Sequence, residues 1–525
     1  MSWVTERNAP NGKEVMVQGK PFSCYAEKLW SGDILALIGG LFGPFAFAPY
    51  NFYILAIISP ALLFATCRNI SARRAFWRGW LFGLGWFGFG ISWIYIAIHD
   101  WGRASAFLAL SLTGLLAAVL SLFPALLAGI VTFWFAHESK GKYLLGWPAL
   151  WVLLERLRGW ILTGFPWLNL GYSQIESPLH GLAPIFGVYG VSLATVFSSG
   201  LILVARYWPG RIRFIAFGGL GALWGLGLFC FYIPWTIALN KTLQVSLIQG
   251  NNPQAVKWQA EQVKSTLEQY WQLTAQHWDS NLIVWPEGAV SAFYHQVADS
   301  YLAFLADEAR SHKTELLVGL PVFDGETEKY YNAVLSLGSR EAFYYKQHLV
   351  PFGEYVPLNK YLQGIINTLG LPIPPFTPGP KNQPLLQVVG YPIATSICYE
   401  DAFGEEIISA LPEAVLLVNI TNNAWYGDSL APHQHLQISR MRALETGRDL
   451  VRATTNGISA IINAKGILQA ITPQFKAATL TGNVQLRSGT TPYVFWGNRP
   501  VIGACLCMFV IGGYYQRYRK EKKPA

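Results

Sequence analysis

Long apolar runs fill the first half of the chain, and short ones alternate with polar stretches in the second half. The long runs lie near 31–49, 51–67, 77–98, 106–136, 143–158, 182–205 and 213–235, and one more lies near 498–515. A helix needs about 20 apolar residues to cross a bilayer, so the pattern predicts seven spans followed by a last one. Any single run could be a buried helix of a soluble protein. The set resists that reading, because residues 31–235 hold almost no long polar stretch. Glu155 and Arg156 end the 143–158 run and make it the least apolar of the eight.

Between about 241 and 491 the texture changes. Strand-length apolar runs recur at Leu243–Ile248, Leu282–Trp285, Leu316–Val318, Ile393–Ile397, Val415–Ile420 and Ile458–Ile462. Polar, helix-compatible stretches such as 254–278 and 297–313 separate several of them, which predicts an α/β domain. About 250 residues can bury a full core. The expected organisation is therefore a tail over 1–30, a helical transmembrane bundle over 31–240, a soluble α/β domain over 241–491, and a final span with a basic tail over 492–525. Residues 356–380 are apolar but rich in Pro and Gly. They read either as a surface loop or as a mobile lid or membrane-dipping arm.

Composition supports the membrane reading. Only 13% of the 525 residues are charged and 52% are hydrophobic, whereas soluble domains carry about 25% charged residues. The net charge is +9, and its placement assigns it to loops rather than to nucleic-acid binding. Arg68, Arg73, Arg74 and Arg78 follow the second run, Lys140 and Lys142 the fourth, and Arg206, Arg211 and Arg213 the sixth. Arg517, Arg519, Lys520, Lys522 and Lys523 close the chain. Seven spans before the soluble part put all four clusters on one side, so the positive-inside rule makes both termini cytoplasmic and residues 241–491 external. The first thirty residues lack the features of a signal peptide.

Of six cysteines, only Cys398 falls in the soluble part. A lone thiol there is either buried and inert or kept for its reactivity. It ends the apolar strand IATSICYED (393–401), and the strand LIVWPE (282–287) ends likewise in Glu287. Sites form at such strand ends. Lys346 and Glu354 lie between them in YKQHLVPFGE (345–354). Each of these three could be an ordinary surface or capping charge. A thiolate needs a base, and an oxyanion needs a cation and N–H donors, so the group is also a coherent acyl-transfer set.

The blocks WPEG (285–288), YYKQHLVPFGEYVP (344–357) and SICYED (396–401) resemble, in kind and order, the Glu-Lys-Cys triad of the nitrilase superfamily. Combined with the membrane runs, TGFPW (163–167), GVYGVS (187–192), the block 419–448 and RATTNGIS (452–459), they resemble the apolipoprotein N-acyltransferases, membrane-bound members of that superfamily. The resemblance covers nearly everything from residue 31. It implies a nitrilase-like α-β-β-α sandwich, with Glu287 as base, Lys346 at the oxyanion and Cys398 as nucleophile. It also implies supporting roles for Glu354, Tyr399 and Glu400, a backbone donor at Tyr399, and Trp258 in substrate binding. No cofactor or metal is implied. The implied donor is a phospholipid, phosphatidylethanolamine giving its sn-1 chain, and the acceptor is the diacylglyceryl-cysteine amine of an apolipoprotein. The implied place is a bacterial inner membrane with the catalytic domain in the periplasm.

Two rival readings differ in testable ways. A membrane-bound amidase or hydrolase with the same triad would pass the acyl group to water. A transporter with an external binding domain would need ionisable residues along its spans, which are few. His433 and His435 could form a metal pair with Asp428 nearby, but structural hydrogen bonding explains them more simply.

Overall fold

The computed structural model describes residues 22–135, 138–361, 364 and 375–521. Most of the expected tail over 1–30, part of the Pro-rich stretch (362–363 and 365–374) and the last lysines, Lys522 and Lys523, lie outside the described residues. The first helix starts at Phe22, inside the stretch read as tail, and runs to Phe42.

Three described helices are long and apolar enough to cross a membrane: Ala106–Trp134, Pro178–Tyr207 and Arg211–Phe231. Ala72–Gly90 and Ile94–Trp101 form a fourth candidate if the pair, bent by 62°, is one span. Trp30–Ala46, Leu55–Thr66 and Arg499–Tyr515 are apolar but shorter. Two of the reductions have visible causes. Pro60 lies inside the 12-residue helix Leu55–Thr66. Trp147–Arg158, in the 143–158 run, buries Glu155 and Arg158, and these charges lower its apolar character. Arg158 donates to the carbonyls of Phe165 (2.9 Å) and Trp167 and to Asn169 Oδ1 (2.8 Å). Glu155 accepts from Trp151 Nε1 and Leu170 N. These charges hold the 159–170 loop in shape, which explains why they are tolerated in an apolar setting.

The basic loops meet at one end of the helices. Arg68 lies over the Tyr207 ring at 4.2 Å and 4.0 Å from Glu138, which also pairs with Lys142 at 2.8 Å. The basic-poor loops meet the soluble part at the other end. Trp101 touches Trp425, and Tyr399 donates to Gly164 O at 2.9 Å.

The described residues of the second half form twelve strands: β1 Ile237–Gln249, β2 Leu282–Val284, β3 Glu315–Asp324, β4 Lys329–Leu337, β5 Ala342–Tyr345, β6 Leu386–Val388, β7 Tyr391–Ile397, β8 Leu416–Thr421, β9 Leu450–Thr454, β10 Ala460–Ile462, β11 Leu468–Ile471 and β12 Ala478–Ser488. They make two six-stranded sheets, ordered β12-β1-β2-β3-β4-β5 and β11-β10-β9-β8-β7-β6. β1, β2 and β3 run parallel, as do β7, β8 and β9, and antiparallel strands flank each set.

Side-chain alternation builds the layers. Leu243, Val245, Leu247, Leu282 and Val284 of one sheet share a core with Ile393, Ile397, Val418 and Ile420 of the other. Their neighbours Ile248, Ile283 and Trp285 point outward, onto Leu267, Tyr270, Leu302 and Leu305 of the helical stretches 260–274 and 298–312. Ala394, Leu417 and Leu450 pack outward on Leu436 and Ala443 of the helix Leu430–Thr446. The architecture is helix, sheet, sheet, helix, the sandwich expected from the resemblance. All six expected strand runs lie in or overlap strands, while β4, β5, β6, β9, β11 and β12 had no counterpart in that reading.

The opposite face of Leu430–Thr446 packs on the membrane helices through Ala431, Ile438, Met441 and Leu444. Gln434 fixes this contact, accepting from Trp93 Nε1 at 3.2 Å and Trp167 Nε1 at 2.6 Å and donating to Gly90 O at 3.2 Å. The soluble half is thereby seated on the helices by buried hydrogen bonds.

Candidate active site

The site lies where the carboxyl ends of β2 and β7 approach each other from different sheets. β2 ends at Val284, and Trp285 and Pro286 lead from it to Glu287; Cys398 follows β7 directly. Lys346 follows β5, and its N–H bonds back to Asn332 O of β4 at 2.8 Å.

Lys346 is the centre of charge. Its ammonium is 1% exposed and lies 2.8 Å from Glu354 Oε1 and 3.4 Å from Glu287 Oε1. Burial alone would depress its pKa, but the Glu354 and Glu287 carboxylates outweigh burial and hold it charged. Asn332 Nδ2 bridges the same two acids, at 2.7 Å from Glu287 Oε1 and 3.1 Å from Glu354 Oε1. Asn422 N, just after β8, donates to Glu287 Oε2 at 2.7 Å, and Val350 N donates to Glu354 Oε2 at 2.8 Å. Burial pushes Glu287 up, yet the Lys346 charge and the Asn332 and Asn422 hydrogen bonds bring it below the usual Glu range.

Cys398 is buried and adopts φ +53°. This left-handed conformation is costly for a residue with a Cβ and clusters at functional turns. Burial and the nearby Glu287 carboxylate push its thiol well above the ordinary range, against the opposing charge of Lys346. The resting thiol is therefore protonated, with a carboxylate and an ammonium in its field.

A polar lattice behind Cys398 holds the turn. His435 Nε2 lies 3.1 Å from Cys398 O and 2.8 Å from Asp401 Oδ1. Ser439 donates to Asp401, and Arg452 reaches Asp401 Oδ2 at 3.2 Å and Asn419 Oδ1 at 2.7 Å. His435 thus has the structural role weighed above, and no metal-binding group of three or more His, Cys, Asp or Glu occurs among the described residues.

Glu400 ties two loops together. It accepts from Ile397 N and Gln347 N at 2.6 Å each, from His348 N at 3.1 Å and from Tyr344 OH at 3.1 Å. Burial pushes its carboxyl up to about 7 against these hydrogen bonds. It joins the Lys346 loop to the Cys398 turn. The Tyr399 hydroxyl is turned to Gly164 O of the membrane part, and Thr163 Oγ1 lies 2.6 Å from Tyr355 OH. Trp258 is 53% exposed and stands beside the Gly288 turn, separate from the charged cluster. The structure thus brings Glu287, Lys346, Glu354 and Cys398 together, sets Tyr399 and Glu400 as braces, and leaves Trp258 at the margin.

Sequence reading missed Asn332 and Lys257. Lys257 is 2% exposed, and its ammonium reaches Glu287 O at 3.3 Å. Asn332, the amide in the aromatic and apolar strand KYYNAVLSL, was a polar exception that could have been noticed. Lys257 beside Trp258 carried no comparable signal.

A family model described as the apolipoprotein N-acyltransferase N-terminal domain matches residues 39–201, and one described as carbon-nitrogen hydrolase matches residues 244–491. The apolipoprotein N-acyltransferase of Methylococcus capsulatus is 46% identical over 494 residues, covering 93% of this chain and 96% of that protein. That of Coxiella burnetii is 39% identical, covering 91% and 99%. That of Azotobacter vinelandii is 41% identical, covering 94% and 96%. Among solved structures, Saccharomyces cerevisiae Nit3 of the nitrilase superfamily aligns with 50% of this chain and 95% of its own, at a TM-score of 0.36 and 16% identity.

Proposed function

The chain belongs to the apolipoprotein N-acyltransferase family, and from that premise we propose that it acylates apolipoproteins through a thioester on Cys398. The observation that carries this reading is one buried ammonium, Lys346, shared by Glu287 and Glu354 and coupled to a strained, buried thiol.

In the first half-reaction Glu287 takes the Sγ proton and the sulfur attacks the carbonyl carbon of a phospholipid ester. The oxyanion is held by the Lys346 ammonium and the Tyr399 N–H. The C–O bond breaks, the leaving alkoxide takes the proton back from Glu287, and a lysophospholipid departs. In the second half-reaction the amine of the acceptor's diacylglyceryl-cysteine attacks the thioester carbon and gives a proton to Glu287. The C–S bond breaks, and the proton returns to the thiolate. Each half-reaction balances without a cofactor. Phosphatidylethanolamine, through its sn-1 chain, is the proposed donor.

Exposed Trp160, Leu162 and Trp425 supply apolar surface around the loops that meet the sandwich, which suits two lipid-borne substrates. The basic end formed by Arg68, Lys142 and their neighbours is assigned to the cytoplasm of a bacterial inner membrane. The sandwich is assigned to the periplasm and both termini to the cytoplasm, with seven spans before the catalytic domain and one after it.

Intact-protein mass spectrometry after incubation with phosphatidylethanolamine alone tests the mechanism. The expected result is a mass increase of one acyl chain, absent in Cys398→Ala and discharged by a diacylglyceryl-cysteine peptide. An adduct discharged only by water would make the protein a hydrolase. An adduct that persists in Cys398→Ala would remove the thioester.

A further inference from the structure

A cavity of about 300 Å³, with Pro253 and Val256 as well as polar side chains in its wall, lies behind the turn that carries Glu287. Its lining includes Asn252, Lys257, Gln262, Ser265, Thr266 and Gln269, and no carboxylate is among the lining residues. Four of these stand on one face of the helix Ala260–Thr274, at the i, i+3, i+4 and i+7 positions.

Lys257 is the only charged lining residue. Its side chain is buried, and its ammonium touches the neutral carbonyl of Glu287 at 3.3 Å. The Glu287 carboxylate is already engaged by Lys346, Asn332 and Asn422. A buried cation whose hydrogen bond goes to a neutral oxygen favours an anionic partner. Burial depresses Lys257 to about 8 against the pull of Glu287, so the ammonium still predominates at neutral pH. The polar wall is ordered. Gln269 Nε2 donates to Gly250 O at 2.9 Å and Asn252 Nδ2 donates to Gln269 Oε1 at 2.8 Å, which leaves the buried Asn252 Oδ1 without a partner. Gly288, at φ +60°, has a reason to be glycine: a Cβ there would meet the Lys257 ammonium at 3.1 Å.

We propose that this cavity is a phosphate-binding subsite, in which Lys257 receives the phosphate of the phospholipid donor while its ester lies at Cys398. The inference rests on the acyl-transfer reading above. In a glycerophospholipid the glycerol backbone joins ester and phosphate, so a donor seated at the thiol carries its phosphate to the margin of the site. Lys257 bridges that margin, with one contact to the main chain of Glu287 and the cavity on its other side. The same chemistry would take free phosphate, and the test separates the two sources.

The experiment measures binding rather than turnover, so it does not depend on Cys398 being the nucleophile. Full-length Cys398→Ala protein in detergent is titrated with short-chain phosphatidylethanolamine, with the matching diacylglycerol, and with inorganic phosphate. Each titration is repeated with Lys257→Met and with Lys257→Arg added. Lys257→Met is expected to weaken phosphatidylethanolamine binding at least tenfold, with diacylglycerol unchanged and partial recovery in Lys257→Arg. Inorganic phosphate that binds in a Lys257-dependent way, with lipid binding unaffected, would support the phosphate chemistry and reassign its source to the free anion. Equal loss for both lipids would overturn the subsite, as would no change with any ligand. If Lys257→Met does not fold, Lys257→Gln carries the test, and unchanged discrimination between the two lipids in it would overturn the subsite.

Discussion

Lys346 and Glu354 form the shorter of the two ion pairs at the site, 2.8 Å against 3.4 Å for Lys346 and Glu287. Glu354 therefore takes up much of the ammonium's charge, and Glu287 keeps more of its basicity than it would as sole partner. Glu354→Gln preserves shape but removes that competitor. Lys346 should then pair more closely with Glu287 and weaken it as a base. Acylation of Cys398 in a single turnover should slow by about 10²-fold, the scale of a general-base contribution, with the protein still folded. An unchanged acylation rate would reduce Glu354 to a packing residue.

The Glu287 and Cys398 pair makes a prediction in which two readouts move in opposite directions. The Glu287 carboxylate helps to push the thiol up. Glu287→Gln removes that charge while Lys346 stays, so the Cys398 pKa falls and more thiolate forms at a given alkaline pH. Alkylation by iodoacetamide should become faster in Glu287→Gln even as acyl transfer falls by orders of magnitude. In the parent protein, the acid limb of transfer should lie below the ordinary Glu value of about 4.5, because Glu287 is held below it. Slower alkylation in Glu287→Gln would show that the carboxylate does not govern the thiol.

Two parts of the site legible in the sequence share one property: each follows an apolar run and breaks it with a charged or reactive side chain. Glu287 after LIVWP and Cys398 after IATSI both do this. Lys346 and Glu354 were legible because a turn-rich block holds them eight residues apart. Lys257 was not, since its burial depends on how the 250–258 segment returns over the Gly288 turn, a long-range contact with no local pattern. The same limit applies to the helices. The apolar runs show where helices form, but Pro60 and the buried Glu155 and Arg158 determine which remain long and apolar. Glu400 was expected beside the nucleophile, but its use as a brace depends on N–H groups 52 and 53 residues away.

Asp401 should matter for stability more than for chemistry. It is buried with Arg452, His435 and Ser439. Burial raises its pKa, but these contacts overcome burial and leave it below the ordinary Asp value. A carboxyl depressed on folding contributes stability above its unfolded pKa and loses it as pH falls through the folded one. Asp401→Asn would leave the Arg452 guanidinium buried without its anion, a loss of about 3–5 kcal/mol. Thermal unfolding in detergent at pH 7 should show a clear drop in Tm, and the difference from the parent protein should shrink as pH falls below about 3.8. A pH-independent difference would mean that lost packing, rather than lost charge, is responsible.

The 159–170 loop should couple the membrane helices to the site through Tyr399. Leu162, Thr163 and Gly164 have φ of +53°, +73° and +95° in succession, an expensive turn that the Arg158 hydrogen bonds to Phe165 and Trp167 hold in place. A Cβ on Gly164 would collide with Gly159 O. Gly164→Ala should therefore displace the loop, lower Tm and reduce acyl transfer together. Tyr399→Phe removes only the hydroxyl that donates to Gly164 O. It should cost about 0.5–1.5 kcal/mol of stability and spare most of the activity, because the backbone N–H proposed for the oxyanion is untouched. If Tyr399→Phe were as inactive as Cys398→Ala, the hydroxyl would take part in the chemistry itself, and the loop's role as a brace would have to be given up.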